Sequence, residues 1–159
     1  MKTHKHVEHI LGIYYKRFWA TSKFKKAGVP DPDILHFFFV KIRSVLESNC
    51  PVFHSMLTED NKDDKVVLRI ILDEKYISYE NACSLMNIET LDGRRTHLCL
   101  SFALKCLKNN KFEDLFERNK PGMHEQFNVP FAHTSRYLDS PKVYLTRLLN
   151  HHFGRQTKH

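Results

Sequence analysis

The chain has few of the features that would tie it to a disulfide-bonded or membrane-spanning protein. Its 159 residues include four cysteines and no Cys-x-x-Cys pair, so we expect reduced, buried thiols and no disulfide framework. No apolar run approaches the roughly 18 residues of a membrane span, and the first residues lead into an amphipathic pattern instead of a signal-peptide core. These absences predict an intracellular protein with no membrane partner.

A catalytic or metal-binding constellation is also missing from the pattern. His4, His6 and His9 lack a Cys or carboxylate at ligand spacing, so we interpret them as exposed terminal histidines. Cys50 and His54 are the residue types of a nucleophile and its base, but no third group can be named to orient them, and we assign the pair to packing. We therefore predict no metal site, no cofactor and no catalytic residue in this chain.

The charge balance is strongly positive. Lys and Arg number 25 against 18 Asp and Glu, giving a formal net charge of +7, and 11 His residues add positive charge in mild acid. The composition favours a polyanionic partner. A basic protein that is merely kept soluble by its charge is the alternative, because net charge bears on association and not on fold.

Periodic apolar residues predict an all-α protein that begins with an amphipathic helix over residues 6–26. The apolar face of this helix is rich in aromatic side chains: Tyr14, Tyr15, Phe18 and Trp19. We expect these rings to pack into the core, with stacking on nucleobases as the alternative. Lys5, Lys16 and Lys23 fall together on the opposite side, where they form a basic stripe. Gly28 ends the helix.

Further helices are predicted over residues 32–49, where Asp31 can cap, over residues 66–72 and from Ser78 or Tyr79 to residue 87. The run at 66–72 could be a strand on pattern alone; we choose helix because no second strand signal lies nearby. A longer helix follows the cap Thr90. Its predicted core face holds Leu91, Leu98, Cys99, Phe102 and Cys106, and its neighbouring basic face holds Arg94, Ser101, Lys105 and Lys108.

The chain changes character after residue 116. Pro and Gly punctuate a polar stretch with few periodic positions, which predicts an irregular tail lying along the surface, with one short helix around residues 143–150. The predicted organisation is a domain of about five helices at residues 1–116 and a C-terminal tail at residues 117–159.

Several segments resemble, in order, the C-terminal part of a non-LTR (LINE-type) retrotransposon reverse transcriptase. The longest runs from Arg43 to His54 and reads Arg-Ser-Val-Leu-Glu-Ser-Asn-Cys-Pro-Val-Phe-His, with Phe53 where the family commonly has Trp. The others are Lys26 to Pro30, Tyr79 to Ala82, Arg94-Arg95, Leu98 to Ala103, and Arg136 to Asn150. The resemblance covers most of the chain, from about His6 to Asn150.

This resemblance implies that the chain follows the catalytic palm and forms the helical thumb and its C-terminal extension, which pack against the template and primer. Contacts of basic helices to phosphates position a duplex without reading its sequence. The residues predicted to bind nucleic acid are Lys16, Lys23, Lys25, Lys26, Arg94, Arg95, Lys105 and Lys108. The other implied partner is the palm and fingers of the parent polymerase.

Two departures from the family pattern limit the implied activity. Polymerisation needs acidic side chains that hold two metal ions, and the Tyr-x-Asp-Asp type of motif that supplies them in the family is absent. The nearest acidic cluster, Asp60 with Asp63 and Asp64, is interpreted as a solvated loop or cap. The chain is also several residues shorter than the family before Val66. We therefore expect no polymerisation by this chain alone, although the full polymerase would need Mg²⁺. The alternative is a decayed or domesticated retroelement remnant that acts only as a structural or protein-interaction module.

Overall fold

The protein is all-α, as the sequence predicts. A computed structural model describes residues 2–56, 65–120, 123, 125–131 and 133–156. Within those residues no strand forms, and one isolated bridge pairs Arg118 with Phe127. None of the described helices is both long enough and apolar enough to cross a membrane.

The chain divides into two compact units, Met1–Asn49 with Leu57–Arg94, and Cys50–Met56 with Arg95–His159. This division differs from the predicted boundary after residue 116, because the segment predicted as a tail belongs to the second unit. The α-helices are α1 (Lys2–Lys26), α2 (Asp31–Phe37), α3 (Ser44–Glu47), α4 (Cys50–Phe53), α5 (Lys65–Leu72), α6 (Tyr79–Leu85), α7 (Leu91–Leu107), α8 (Ser135–Leu138) and α9 (Pro141–Gln156). A π-helical segment, Phe38–Arg43, joins α2 to α3, and 3₁₀ turns occupy His54–Met56, Asp73–Lys75 and Asn110–Leu115.

In the first unit, α1 packs against α2, the π-helical segment, α3 and α5. Its C-terminus is as predicted: Gly28 has a φ of 75°, and the Val29 N–H donates to the Phe24 carbonyl oxygen at 3.1 Å, which closes the last turn. The expected aromatic core face is correct for Tyr14, which is buried, and wrong for Tyr15 and Trp19, which are exposed.

The second helical stretch is continuous from Asp31 to Glu47 through the π-helical segment. The core side chains recur every four residues: Ile34, Phe38, Ile42 and Leu46, all at most 4% exposed. In an α-helix such a repeat rotates by about 40° at each step. The wider π turns, whose hydrogen bonds run from i to i+5, reduce this drift and keep the four side chains toward the core.

Three local predictions in the first unit are confirmed. The 66–72 run is helical, as part of α5. Ser78 accepts a hydrogen bond from the Asn81 N–H at 3.1 Å at the start of α6, and the Thr90 hydroxyl accepts one from the Gly93 N–H at 3.2 Å at the start of α7. These caps satisfy backbone donors that a helix start leaves open. In contrast, Asp31 makes no capping hydrogen bond.

In the second unit, α9 packs against α4, α8 and the His54–Met56 turn. It is longer than the helix predicted around residues 143–150, and Val143, Leu145 and Leu149 are buried on it. The predicted helix is therefore confirmed, and what the sequence analysis missed is its length and the burial of its apolar side chains, which supply part of the core. The core face predicted for α7 is also wrong at Phe102, which is exposed, while Ala103 is buried.

Candidate nucleic-acid interface

Three of the predicted lysines lie on one outward side of α1. Lys16, Lys23 and Lys26 are all exposed, and helical geometry places the last two within about 20° and 80° of Lys16 around the axis. Among the described residues, no carboxylate forms an ion pair with any of the three. We call Lys16, Lys23 and Lys26 the basic face. It presents ammonium groups that internal ion pairs do not neutralise.

Lys25 has a structural role instead. Its Nζ lies 2.6 Å from Asp31 Oδ1 at the start of α2 and donates to the Ile71 carbonyl oxygen at 2.9 Å near the end of α5. Arg17, on the same helix, donates to the Lys41 carbonyl oxygen in the π-helical segment. These two cations hold α1 to its neighbours, and Lys25 is not part of the basic face.

Two aromatic rings stand beside the basic face. The side chains of Tyr15 and Trp19 are 61% and 63% exposed, although both rings are large enough to bury much apolar area. Tyr15 contacts the buried Tyr14 edge-on at a ring centroid distance of 5.4 Å. The Nζ of Lys23 lies over the Trp19 ring, 5.1 Å from its centroid, at a distance typical of a cation–π contact. We call Tyr15 and Trp19 the aromatic pair.

Arg94 joins an ion-pair cluster in the first unit. Its Nε lies 3.6 Å from Glu47 Oε2, while Glu47 Oε1 accepts a hydrogen bond from Arg43 Nε at 3.0 Å. Arg43 is buried and also donates to the Glu89 carbonyl oxygen. A cavity of about 380 Å³ borders these charges. Arg94 keeps some exposure, but a carboxylate already neutralises it in part.

The structure corrects the assignment of Arg95 as a nucleic-acid contact. Its side chain is 1% exposed, and its position four residues before Cys99 places it on the buried side of α7. Its backbone carbonyl accepts a hydrogen bond from the Cys50 thiol, with 3.9 Å between Sγ and oxygen. A guanidinium that is almost fully buried is not available to a phosphate in solvent.

Lys105 and Lys108 are exposed in the second unit, at the C-terminal end of α7. The Lys108 N–H donates to the Lys105 carbonyl oxygen at 3.2 Å, which closes the final turn. Cations at a helix C-terminus are favourable for the helix dipole whether or not a ligand binds. This second group is consequently smaller than the basic face and has a structural explanation.

The described residues contain no group of three or more His, Cys, Asp or Glu side chains that could hold a metal ion. Asp60, Asp63 and Asp64 lie outside the described residues. In the second unit, a cavity of about 520 Å³ is lined by Arg118 and Lys142 but also by Asp114 and Glu117. Its charges are mixed, so it does not favour an anion as the basic face does.

The sequence placed Lys5, Lys16 and Lys23 on one stripe; Lys16 and Lys23 are exposed, and the side chain of Lys5 lies outside the described part of the structure. It favoured core packing for the aromatic pair, with both rings at the edge of the apolar face. The signal that could have found the pair is the helical wheel itself, on which Tyr15 and Trp19 lie about 100° and 140° from Tyr14. Comparisons of the chain with protein-family models, with curated proteins and with solved structures found no match. The resemblance to reverse transcriptases stays a prediction from the sequence.

Proposed function

We propose that this chain binds nucleic acid without sequence preference, as the thumb-like region that follows the palm in a LINE-type reverse transcriptase. The observation that supports this function best is the basic face, with Lys16, Lys23 and Lys26 exposed on one side of one helix. The sequence resemblance supplies the polymerase context. The net charge of +7 adds long-range attraction for a polyanion.

The proposed binding is electrostatic. Lys16 and Lys26 are ten residues apart, so their Cα atoms are separated by about 15 Å along α1, and the three ammonium groups can contact several successive phosphates. Each contact releases condensed counterions from the nucleic acid, which makes affinity fall as salt rises. Lysine is a flexible point charge that contacts phosphate without reading a base.

The proposed role includes no chemistry by this chain alone. The acidic side chains and the Mg²⁺ would belong to the palm of the complete polymerase. A purified preparation incubated with a primed RNA template, labelled nucleotides and Mg²⁺ should incorporate no label. Incorporation that is lost when Mg²⁺ is removed would contradict this part of the proposal.

The binding proposal is tested by reversing the charge of two different sets of lysines. The test variant carries Lys16→Glu, Lys23→Glu and Lys26→Glu. The control variant carries three reversals at exposed lysines that are not part of the basic face: Lys75→Glu, Lys111→Glu and Lys120→Glu. Both variants lose the same net charge, so a difference between them reports the position of the lysines and not the total charge.

Affinity is measured by fluorescence anisotropy with a labelled RNA–DNA duplex of about 20 base pairs at about 50 mM salt. We expect the test variant to bind at least about tenfold more weakly than the control variant, a difference of about 1.4 kcal/mol. Equal affinities for the two variants would show that the basic face is only a solvated surface.

The alternative function is a structural or interaction module left by a retroelement. The exposed apolar side chains of Ile77 and Leu85 in the first unit favour it, because exposed apolar groups mark protein contacts when they form a patch. It is supported if the wild-type protein binds no nucleic acid at low salt but unfolds in one cooperative transition.

A further inference from the structure

We infer that the outward side of α1 is a stacking platform for unpaired bases, so that the protein binds single-stranded nucleic acid more tightly than duplex. This inference rests on the proposed function and adds the class of ligand. It starts from the aromatic pair, Tyr15 and Trp19, whose rings are more than half exposed beside the basic face.

The aromatic pair has the geometry of a platform. Tyr15 and Trp19 are four residues apart, which places them on successive turns, about 6 Å apart along the axis. The Tyr15 ring rests edge-on against the buried Tyr14 ring, so its position is supported from beneath. Both aromatic residues are more than half exposed, so their rings are not covered by the core.

Cations alternate with the rings along the same side. Lys16 follows Tyr15, and the ammonium group of Lys23 lies over the Trp19 indole. A single strand has the same alternation, with one phosphate for every base. A base that stacks on either ring thus brings its phosphate close to a lysine. Glu8, two turns before Tyr15 and also exposed, limits the platform at its N-terminal end.

The rings select for unpaired bases because a duplex covers the faces of its bases. Bases in a duplex are stacked at 3.4 Å intervals along each strand, with both faces covered by neighbours. Side chains on the convex surface of a helix cannot enter that stack. Unpaired bases offer free π-faces to aromatic side chains, and this contact tolerates every base. The lysines around the pair favour such a polyanion over an apolar protein surface.

Trp19 is the only tryptophan in the chain, so its fluorescence reports the platform directly. Wild-type protein is titrated with oligouridylate and oligothymidylate, which test RNA and DNA separately, and with a hairpin duplex of the same phosphate number. We expect saturable quenching by the single strands and little quenching by the duplex, because stacking on the indole needs an unpaired base.

Anisotropy with labelled oligonucleotides gives the affinities of three variants. Tyr15→Ala with Trp19→Ala should weaken single-strand binding about tenfold or more and leave duplex binding within about twofold. Trp19→Phe, which keeps an aromatic face, should retain most of the single-strand affinity. The control removes two exposed aromatic side chains of the second unit, Phe112→Ala with Phe131→Ala, and should change neither affinity.

The outcomes separate this inference from the function on which it rests. If the double alanine variant keeps its single-strand affinity, the platform is wrong, while duplex binding that depends on the basic face still stands. If the variant loses both affinities equally, the rings do not distinguish unpaired from paired bases, and the platform is also wrong. The platform is also wrong if sedimentation shows that the wild-type protein is a dimer and that the double alanine variant is a monomer, because the rings would then form a contact between two copies of the chain. If the wild-type protein binds neither ligand at low salt, both proposals fail.

Discussion

Glu47 accepts a hydrogen bond from Arg43, with 3.0 Å between Oε1 and Nε, and both side chains are largely withdrawn from solvent. The two residues are four apart in the Arg43 to His54 segment that carries the resemblance to reverse transcriptases. The most distinctive charges of that segment therefore form part of the interior of the first unit. Their contacts stabilise the unit that displays the basic face.

Removing Glu47 should destabilise the first unit. Glu47→Ala leaves the buried Arg43 guanidinium without its carboxylate, and we expect the free energy of unfolding to fall by about 3 kcal/mol. The measurement is a urea titration followed by far-UV circular dichroism. Glu74→Ala, at an exposed position, is the control and should change stability by less than about 0.5 kcal/mol. Equal effects of the two substitutions would contradict the structural role of the ion pair.

Asn150 on α9 should stabilise the second unit about as much as Glu47 stabilises the first. Its side-chain amide donates to the Phe127 carbonyl oxygen and accepts from the Phe127 N–H, both at 2.9 Å. Asn150→Ala leaves two backbone groups of the buried Phe127 unpaired, which should cost about 2 to 3 kcal/mol. Asn128→Ala removes only an exposed hydrogen bond to Glu117 and is the control. A loss below 1 kcal/mol at Asn150, measured by the same urea titration, would show that the segment before α9 is held by other contacts.

The four cysteines should react slowly in the folded protein. Cys50, Cys83, Cys99 and Cys106 form no disulfide and are buried, as the sequence predicts. Burial raises the pKa of the Cys106 thiol and lowers its thiolate fraction. With a chromogenic disulfide reagent at pH 8, we expect little reaction in buffer and four thiols at once in denaturant. Rapid labelling of several thiols in buffer, or a disulfide detected by mass spectrometry, would contradict this expectation.

Local signals in the sequence were sufficient for the helix boundaries that depend on a single residue. The backbone conformation of Gly28 ends α1, and the hydroxyl groups of Ser78 and Thr90 accept hydrogen bonds from backbone N–H groups at the starts of α6 and α7. These contacts involve only neighbouring residues, so a short stretch of sequence is enough to predict them. The 66–72 run was also assigned correctly, because the absence of a strand partner excluded the alternative.

The functional assignments that failed depend on contacts distant in sequence. Lys25 was interpreted as a surface cation, because the sequence does not show that folding places Asp31 and the Ile71 carbonyl beside its ammonium group. Arg95 was assigned to the surface because it is charged, although its position in the sequence lies on the buried side of α7. Tyr15 and Trp19 lie at the edge of the apolar face on the helical wheel, and the wheel alone does not show how far around the helix the core extends.

The salt dependence of binding tests the central claim most directly. The logarithm of the binding constant for duplex is measured against the logarithm of salt concentration for the wild type, the Lys16, Lys23 and Lys26 reversal variant, and the Lys75, Lys111 and Lys120 control. Each lost phosphate contact lowers the slope by about 0.9, so the basic-face variant should lose about 2 to 3 in slope and the control should lose almost none. Identical slopes for the two variants would contradict the account.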